Sequence, residues 1–496
     1  MRRAVLSQFV MPATSMLSPF KSWRYMREMC NLEFEPLQRQ RMNRMHLIRE
    51  LLVHAYREVD LYRMKLDRAG VDPVEVSYPR SFERVPITSK YELRDGFPHR
   101  QLARSSRGSF LRYSNTSGTT GRPLLLIQDI RDISYKYASI LRSRALAGVD
   151  PMSSQVRLTP NECQPCLPDG SSPFGGSSSL PGDESGSLSS MFVFLEKQVV
   201  LPLFHQRQML EPFWAIGSPG GHVDYDSYLG QLHAAEPEVL SIYPLYALLL
   251  ARHIKRNRLD PPRIRQLIDF SAGLATPKMT AFISEIFGVR TAQSCGGCEF
   301  ARYAASCPDD PNRMHIAENY AYVEAVRPDG TLAAPGELGN ILVTSLHSRA
   351  MPIIRLEPGD VGRLYDEPCA CGRRSRRLQH GGRIQSLIRN ADGRWVTGAE
   401  LWDEVLFTPG VELFQLQQKD EMRYEIRVIE SPDTVLHDAT LLNTLKGLLG
   451  EKARVDIVRT SALAPERSGK LQLVKSSTFE DFRPRTSAAT HSVPVN

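Results

Sequence analysis

The chain has 496 residues, 42% hydrophobic and 24% charged, which suits an ordinary globular protein of roughly two to four structural units. A net charge of +7 is modest for that length. No helix-turn-helix, zinc-finger or aromatic-interleaved basic stripe accompanies it, so nucleic acid is excluded as the expected partner. The apolar runs are as short as Tyr246–Ala251, and Pro12 and polar residues break up the basic first thirty residues. Neither a bilayer span nor a secretory signal is expected, and the reading is a soluble, cytoplasmic protein with no membrane partner.

In chain order, Met45, Ile48, Leu51, Leu52 and Ala55 recur at helical spacing and predict an amphipathic helix over residues 36 to 57. Pro79, Pro86 and Pro98 then punctuate an irregular stretch. It leads to Tyr113-Ser-Asn-Thr-Ser-Gly-Thr-Thr-Gly-Arg-Pro123, followed at once by the apolar Leu124–Ile127. Such a loop presents backbone N–H groups and small hydroxyls to an anion, and a flexible linker would rarely run straight into an apolar strand. It is not a Walker A loop, because no Gly-Lys-Ser/Thr follows at the required spacing. Residues 167 to 190, dominated by Gly, Ser and Pro, read as a long surface loop or lid.

From about residue 237, strand and helix alternate. Val239–Tyr243, Leu267–Phe270 and Val289–Gln293 read as strands, with helices over Leu245–Ile254 and through Met279, Phe282, Ile283 and Ile286. This predicts an α/β core with parallel pairing, whose ligands sit beyond the carboxyl ends of the strands. After residue 383 the character changes to two strands, Leu413–Gln417 and Tyr424–Ile429, a helix around Thr440–Leu449 and a strand at Val455–Val458. The expectation is a large α/β domain over 1–382, with mixed sheets flanked by helices, and a small mobile α+β domain over 383–496. The last twenty residues read as a frayed tail.

Four separated segments agree on one chemistry. Ser114, Thr116, Ser117, Thr119 and Thr120 are candidates to hold the β- and γ-phosphates of ATP. Cys295-Gly-Gly-Cys-Glu299 ends a strand, where its glycines would admit a flat adenine and Glu299 would offer a hard oxygen to Mg²⁺. Asp360, after Pro-Gly, is placed to accept from both ribose hydroxyls. Lys470, in Arg467-Ser-Gly-Lys470, could reach the α-phosphate and an attacking carboxylate together and offset charge in the transition state. Taken singly, Glu299 reads as a surface acid, Asp360 as a turn residue and Lys470 as a solvated lysine. Together, in this order, they point to carboxylate activation.

On these motifs, together with Leu61-Tyr-Arg-Met-Lys and Lys90-Tyr-Glu-Leu-Arg94, the chain resembles the phenylacetate–coenzyme A ligase-like branch of the adenylate-forming superfamily, over nearly its whole length. The resemblance implies that Thr116–Pro123, with Gly118 and Gly121, is the phosphate loop. It makes Cys295, Gly296, Gly297, Cys298 and Glu299 the adenine and metal motif, and Gly359-Asp360 the ribose site. Gly382-Arg383-Ile-Gln385 becomes the hinge, Arg383 a nucleotide contact and Lys470 the adenylation lysine. It also implies a two-step reaction, acyl-adenylate and then coenzyme A thioester, with Lys470, Glu299 and Thr116 carrying the chemistry. Tyr243, Pro244, Leu245, Ala272 and Gly273 would line the acyl pocket. Cys295 and Cys298 stand where the family has Tyr and Thr, and Gln385 where it has the hinge Asp. The aromatic Tyr-Gly-Leu-Phe stretch is missing, so phenylacetate itself is not the expected acid.

The eight cysteines do not read as a disulfide framework. Cys307, His315, Cys369 and Cys371 offer three thiolates and an imidazole, which suits a closed tetrahedral Zn²⁺ site, and some relatives resemble this pattern and carry a structural zinc there. The bland alternative is four unrelated polar residues. The Cys163/Cys166 and Cys295/Cys298 pairs could in principle make a ribbon site, but a metal at the second pair would obstruct ATP. Arg373, Arg374, Arg376 and Arg377 are expected on a solvated hairpin face, with coenzyme A phosphates or an acidic acyl carrier protein as possible contacts. Two rivals to the coenzyme A ligase stay open: an amide synthetase or carrier-protein ligase using the same adenylate, and a nucleotide-binding pseudoenzyme with a regulatory role.

Overall fold

The computed structural model describes residues 21–76, 81–109, 111–115, 124–150, 153–160, 207–210, 223–466 and 470–484. The predicted surface loop over 167–190, Cys163/Cys166, Pro79 and most of the tail lie outside the described residues. Helix α1 (Ser22–Leu32) leads into α2 (Leu37–Glu58), which matches the predicted amphipathic helix and buries Ile48, Leu51, Leu52 and Ala55. Helices α3 (Asp60–Ala69) and α4 (Lys90–Arg94) follow, the latter started by a capping box in which Ser89 and Glu92 satisfy each other's backbone N–H groups. A hairpin of β1 (Arg112–Asn115) and β2 (Leu125–Gln128) frames the glycine- and hydroxyl-rich loop and delivers the chain to α5 (Ile130–Leu146).

The centre of the molecule is an eleven-stranded mixed sheet. Its parallel half contains β3 (Gln155–Leu158), β4 (Arg207–Met209), β5 (Val239–Ile242), β6 (Leu267–Phe270) and β7 (Thr291–Gly297). The crossover helices are α6 (Tyr225–Ala235), α7 (Pro244–Asn257) and α8 (Pro277–Phe287). All four residues of β5 and of β6 are buried, as a parallel strand covered on both faces requires. The antiparallel half continues through β8 (Ala301–Cys307), β9 (Asp310–Ile316), β10 (Ala321–Val326), β11 (Leu338–Ser345), β12 (Asp360–Tyr365) and β13 (Arg377–Arg383). Strand order across the sheet is 10-11-12-13-9-8-7-6-5-3-4.

Strand β7 joins the halves. It runs parallel to β6 as far as Gln293 and antiparallel to β8 from Ser294 onward. The sequence pattern predicts that this strand ends at Gln293, but it continues to Gly297, because the partner on its far side changes just where the apolar pattern stops.

Beyond β13 lie the short pair β14 (Ile388–Arg389) and β15 (Trp395–Val396), then α9 (Gly398–Val405). A four-stranded sheet of β16 (Val411–Gln418), β17 (Arg423–Glu430), β18 (Arg454–Arg459) and β19 (Val474–Lys475) carries α10 (Asp438–Leu449). On β17, Tyr424, Ile426 and Val428 point inward while Arg423 and Arg427 stay exposed, the period-2 pattern of a one-sided sheet. One apolar core runs from α7 and α8 into this small sheet. Arg252 ties the two together by donating to the carbonyls of Leu406, Val411 and Glu412.

The antiparallel half buries ion pairs instead. Arg44 and Arg376 share Glu318, Arg142 and Arg373 share Glu33, and Arg355 meets Glu324. This corrects the expectation for the arginine cluster. Arg373, Arg376 and Arg377 are drawn onto Glu33, Glu318 and Asp310, so they are not free on a solvated face. No helix among the described residues is long and apolar enough to cross a membrane.

Candidate active site

The site forms where the ends of β7 and β13 meet the start of β12. Asp360 opens β12 and faces Arg383, the last residue of β13, in register. Arg383 Nη1 donates to Asp360 Oδ1 at 2.9 Å, and His380 Nε2 lies 3.7 Å from the same oxygen. Burial alone would push this carboxyl up, but Arg383 and His380 outweigh it and hold the group well below the usual carboxylate range. Gly359 adopts φ +89°, a left-handed turn that glycine accepts without strain, and a Cβ there would stand 3.2 Å from the Arg383 guanidinium.

At the end of β7 the register shifts between Cys295 and Gly296. A Cβ on Gly296 would fall 1.6 Å from the carbonyl oxygen of Ala301, so glycine is obligatory for the chain to fold back into β8. A Cβ on Gly297 would lie 2.8 Å from Glu299 Oε2. The structure thus gives both glycines a local reason: the turn and the seating of Glu299. Cys295 is buried and its Sγ lies 2.9 Å from the Tyr303 hydroxyl, whereas Cys298 is exposed and its carbonyl accepts from Lys136 Nζ at 3.2 Å. Glu299 is 5% exposed and forms a 3.1 Å ion pair with Lys90, the first residue of α4.

Lys470 comes from the far end of the chain, and its carbonyl accepts from Glu466 N–H at 2.8 Å. Its ammonium feels Arg383, Asp360, Glu466 and Cys298; burial and Arg383 together pull it below the ordinary lysine value. Tyr243, at the cap of α7, packs its ring so closely on Gly273 that a Cβ there would come within 2.3 Å of it. Ala272 beside it holds φ +64°, an uncommon backbone for a residue with a Cβ. Pro244 and Leu245 are buried in the first turn of α7, and Leu245 belongs to the apolar core. Ser114 lies on β1, its hydroxyl buried with no hydrogen-bond partner among the described residues. Thr116, Ser117, Gly118, Thr119, Thr120 and Gly121 lie outside the described residues, as do Arg467, Ser468 and Gly469.

A second cluster joins β8, β9 and the loop before β13. Cys307, His315, Cys369 and Cys371 put all four ligand atoms within 4.8 Å of one another. Cys307 Sγ is 3.7 Å from Cys369 Sγ, and Cys371 Sγ is 3.4 Å from His315 Nε2. A tetrahedral zinc with Zn–S near 2.3 Å needs sulfurs about 3.8 Å apart, so the spacing fits. His315 Nδ1 is 3.0 Å from Ser375 Oγ, which can accept a hydrogen bond from Nδ1–H and so leave Nε2 bare. Burial and the nearby Arg142, Arg373 and Arg377 push this imidazole down to about 3, so it is neutral, as a metal ligand must be.

Reading the residues alone missed Lys90, Lys136, Tyr303 and His380 as members of the site. Lys90 was visible only as part of a family motif, and Lys136 lay inside an ordinary helical pattern. His380 had a signal: it sits in His-Gly-Gly-Arg, two residues before the hinge glycine Gly382.

No family model matches the chain. Curated relatives do. The chain is 27% identical over 349 residues to a phenylacetate–coenzyme A ligase of Thermus thermophilus, covering 69% of this chain and 70% of that one. It is 25% identical over 457 residues to the Escherichia coli enzyme of the same name, covering 88% and 93%. This chain is similar to phenylacetate–coenzyme A ligases. Among solved structures, 2-hydroxyisobutyryl-CoA ligase in the postadenylation state superposes with a TM-score of 0.67 at 20% identity, over 90% of this chain and 92% of that one. The same ligase in the thioesterification state gives 0.55 at 22% identity over the same shares. The fold is therefore that of the adenylate-forming coenzyme A ligases, with a large and a small domain.

Proposed function

We propose that this chain is an ATP-dependent, AMP-forming ligase that converts a carboxylic acid to its acyl-adenylate and then to a coenzyme A thioester. The observation that carries the reading is Lys470, an ammonium from the far end of the chain set among Asp360, Arg383, Glu466 and Cys298. In the first step a carboxylate oxygen attacks the α-phosphorus of ATP and pyrophosphate leaves. In the second a thiol attacks the acyl carbon and AMP leaves. Lys470 offsets the charge that gathers between carboxylate and α-phosphate, in a pocket where a fixed cation acts far more strongly than in water. Asp360 takes the ribose hydroxyls, and Arg383 fixes that carboxylate while adding charge toward the phosphates. The loop from Thr116 to Gly121, with Ser114 at its base, holds the β- and γ-phosphates, and Tyr243, Ala272 and Gly273 border the acyl group.

Glu299 suits Mg²⁺: its carboxylate is buried, and Gly297 keeps clear the space a Cβ would fill. Bound there, the ion would draw negative charge off the phosphates. Lys90 holds the carboxylate in place from the other side. Cys307, His315, Cys369 and Cys371 suit a structural zinc that would staple the β8–β9 turn to the loop before β13. The division between large and small domain falls at residue 383.

The reading is tested by incubating the protein with ATP, a panel of aryl and alkyl acids, and one acceptor at a time: coenzyme A, a phosphopantetheinyl carrier or an amine. Acyl-CoA with stoichiometric AMP is the expected product. Adenylate consumed only by the carrier or the amine would replace the acceptor. ATP bound without turnover of any acid would replace the enzyme with a nucleotide-binding module.

A further inference from the structure

Asp360 belongs to a second group with Cys295 and His380, the cysteine and carboxylate buried and the imidazole half-buried, whose ligand atoms lie within 4.8 Å of one another. The composition resembles a metal site: one thiol, one imidazole, one carboxylate. Two contacts argue otherwise. Gly382 N–H donates to His380 Nδ1 at 3.0 Å, so the lone pair of the neutral ring is spent on the backbone and its hydrogen sits on Nε2. A protonated ring carries hydrogen at Nε2 as well. In either state the nitrogen that faces Asp360 and Cys295 is a donor, not a ligand. Arg383, already 2.9 Å from Asp360 Oδ1, would moreover repel a cation at that oxygen.

The backbone is built for this arrangement. Gly382 has φ +102°, which bends the end of β13 so that its N–H turns back on the ring two residues earlier. A Cβ at Gly382 would meet nothing closer than 3.7 Å, so the dihedral and not crowding calls for glycine. Behind the ring, Cys295 Sγ is itself held 2.9 Å from the hydroxyl of Tyr303, which is 1% exposed. Tyr303, Cys295 and Asp360 are buried, and His380 lies half-buried beside Cys295 and Asp360. Arg383 and His380 both address Oδ1, which leaves Oδ2 with no protein partner among the described residues.

Resting on the ribose reading of Asp360 given above, we propose that His380 is a positioning residue. Its ring, anchored by Gly382 N–H and lying beside Cys295, sets Nε2 3.7 Å from Oδ1, an electrostatic contact longer than a hydrogen bond. It thereby helps Arg383 to orient Asp360 so that Oδ2 is presented to the sugar, and the protein selects nucleotides that carry both ribose hydroxyls. A histidine that merely filled space would support the fold without affecting that choice.

The test is equilibrium binding of ATP, 2′-deoxy-ATP and 3′-deoxy-ATP to the full chain and to His380→Ala, His380→Gln and Cys295→Ala. The wild type should favour ATP over each deoxynucleotide by about tenfold or more, the worth of a hydrogen bond to a charged group. His380→Ala should lose most of that preference while keeping its affinity for the deoxynucleotides. His380→Gln, which restores an N–H, should recover the larger part, and Cys295→Ala should show a smaller loss in the same direction. Cys295→Ala also carries the test should His380→Ala fail to fold. Equal weakening of all three nucleotides by both alanine variants, with wild-type preference intact, would overturn the role of His380 alone. A wild type indifferent to the hydroxyls would overturn the ribose reading and this proposal with it.

Discussion

His315 and His380 stand on paired neighbouring strands, the first buried and the second half-buried, each beside cysteine, and the two are built for opposite chemistry. His315 on β9 sets Nδ1 against a serine hydroxyl that can accept, and presents a bare Nε2 to Cys371. His380 on β13 sets Nδ1 against a backbone N–H that can only donate, and presents Nε2–H to Asp360. The surrounding charge agrees. Burial and three arginines push His315 down to about 3, which keeps its ring neutral and Nε2 free to ligate. Residue type names a candidate ligand; the partner of the second ring nitrogen decides whether it can be one.

The sharpest way to separate the two clusters is to remove a charge from one and follow both. Lys470→Ala should lower adenylation by about 10²- to 10³-fold, the loss seen when one preorganised transition-state contact is deleted, with metal content unchanged. Cys369→Ser should do the reverse. It should release about one equivalent of zinc, read by atomic emission, and cost about 3 kcal/mol of stability. Cys295→Ser should leave the metal content as in the wild type. If it released zinc too, the assignment of opposite roles would fail.

A third variant lies outside both clusters. Arg252→Ala strips the donor from the carbonyls of Leu406, Val411 and Glu412 where the small sheet meets α7. Denaturant unfolding should show a loss of about 2 kcal/mol, with neither metal content nor ribose preference altered. The smallest effect is a matter of pH. Lys470 offsets charge only when protonated, and its pKa is lowered by burial and Arg383. Adenylation should therefore hold on the acid side of that shifted pKa and decline as pH rises through it, before the ordinary lysine range, and Lys470→Arg should flatten the decline.

Much of this was legible in the residues. The amphipathic helix over 36 to 57, the mostly apolar strand Leu267–Phe270 and the hairpin pair after residue 411 were visible because their period is local. The four zinc-type ligands could be picked out because thiols and imidazole are rare and their chemistry is specific. The Asp360–His380 contact was not legible, since it depends on a bulge between Val361 and Gly362 and on the bend at Gly382. The same holds for the arginines at 373 to 377, whose partners Glu33, Glu318 and Asp310 lie far off in sequence. The lengthening of β7 escaped because a strand that changes partners half-way has no single period to read.

The central claim, that Lys470 and Asp360 form a working adenylation centre, is tested most directly by carboxylate-dependent ATP–pyrophosphate exchange across a panel of aryl and alkyl acids. Exchange with one class of acid that collapses in Lys470→Ala is the expected result. Firm ATP binding with no exchange for any acid would contradict it.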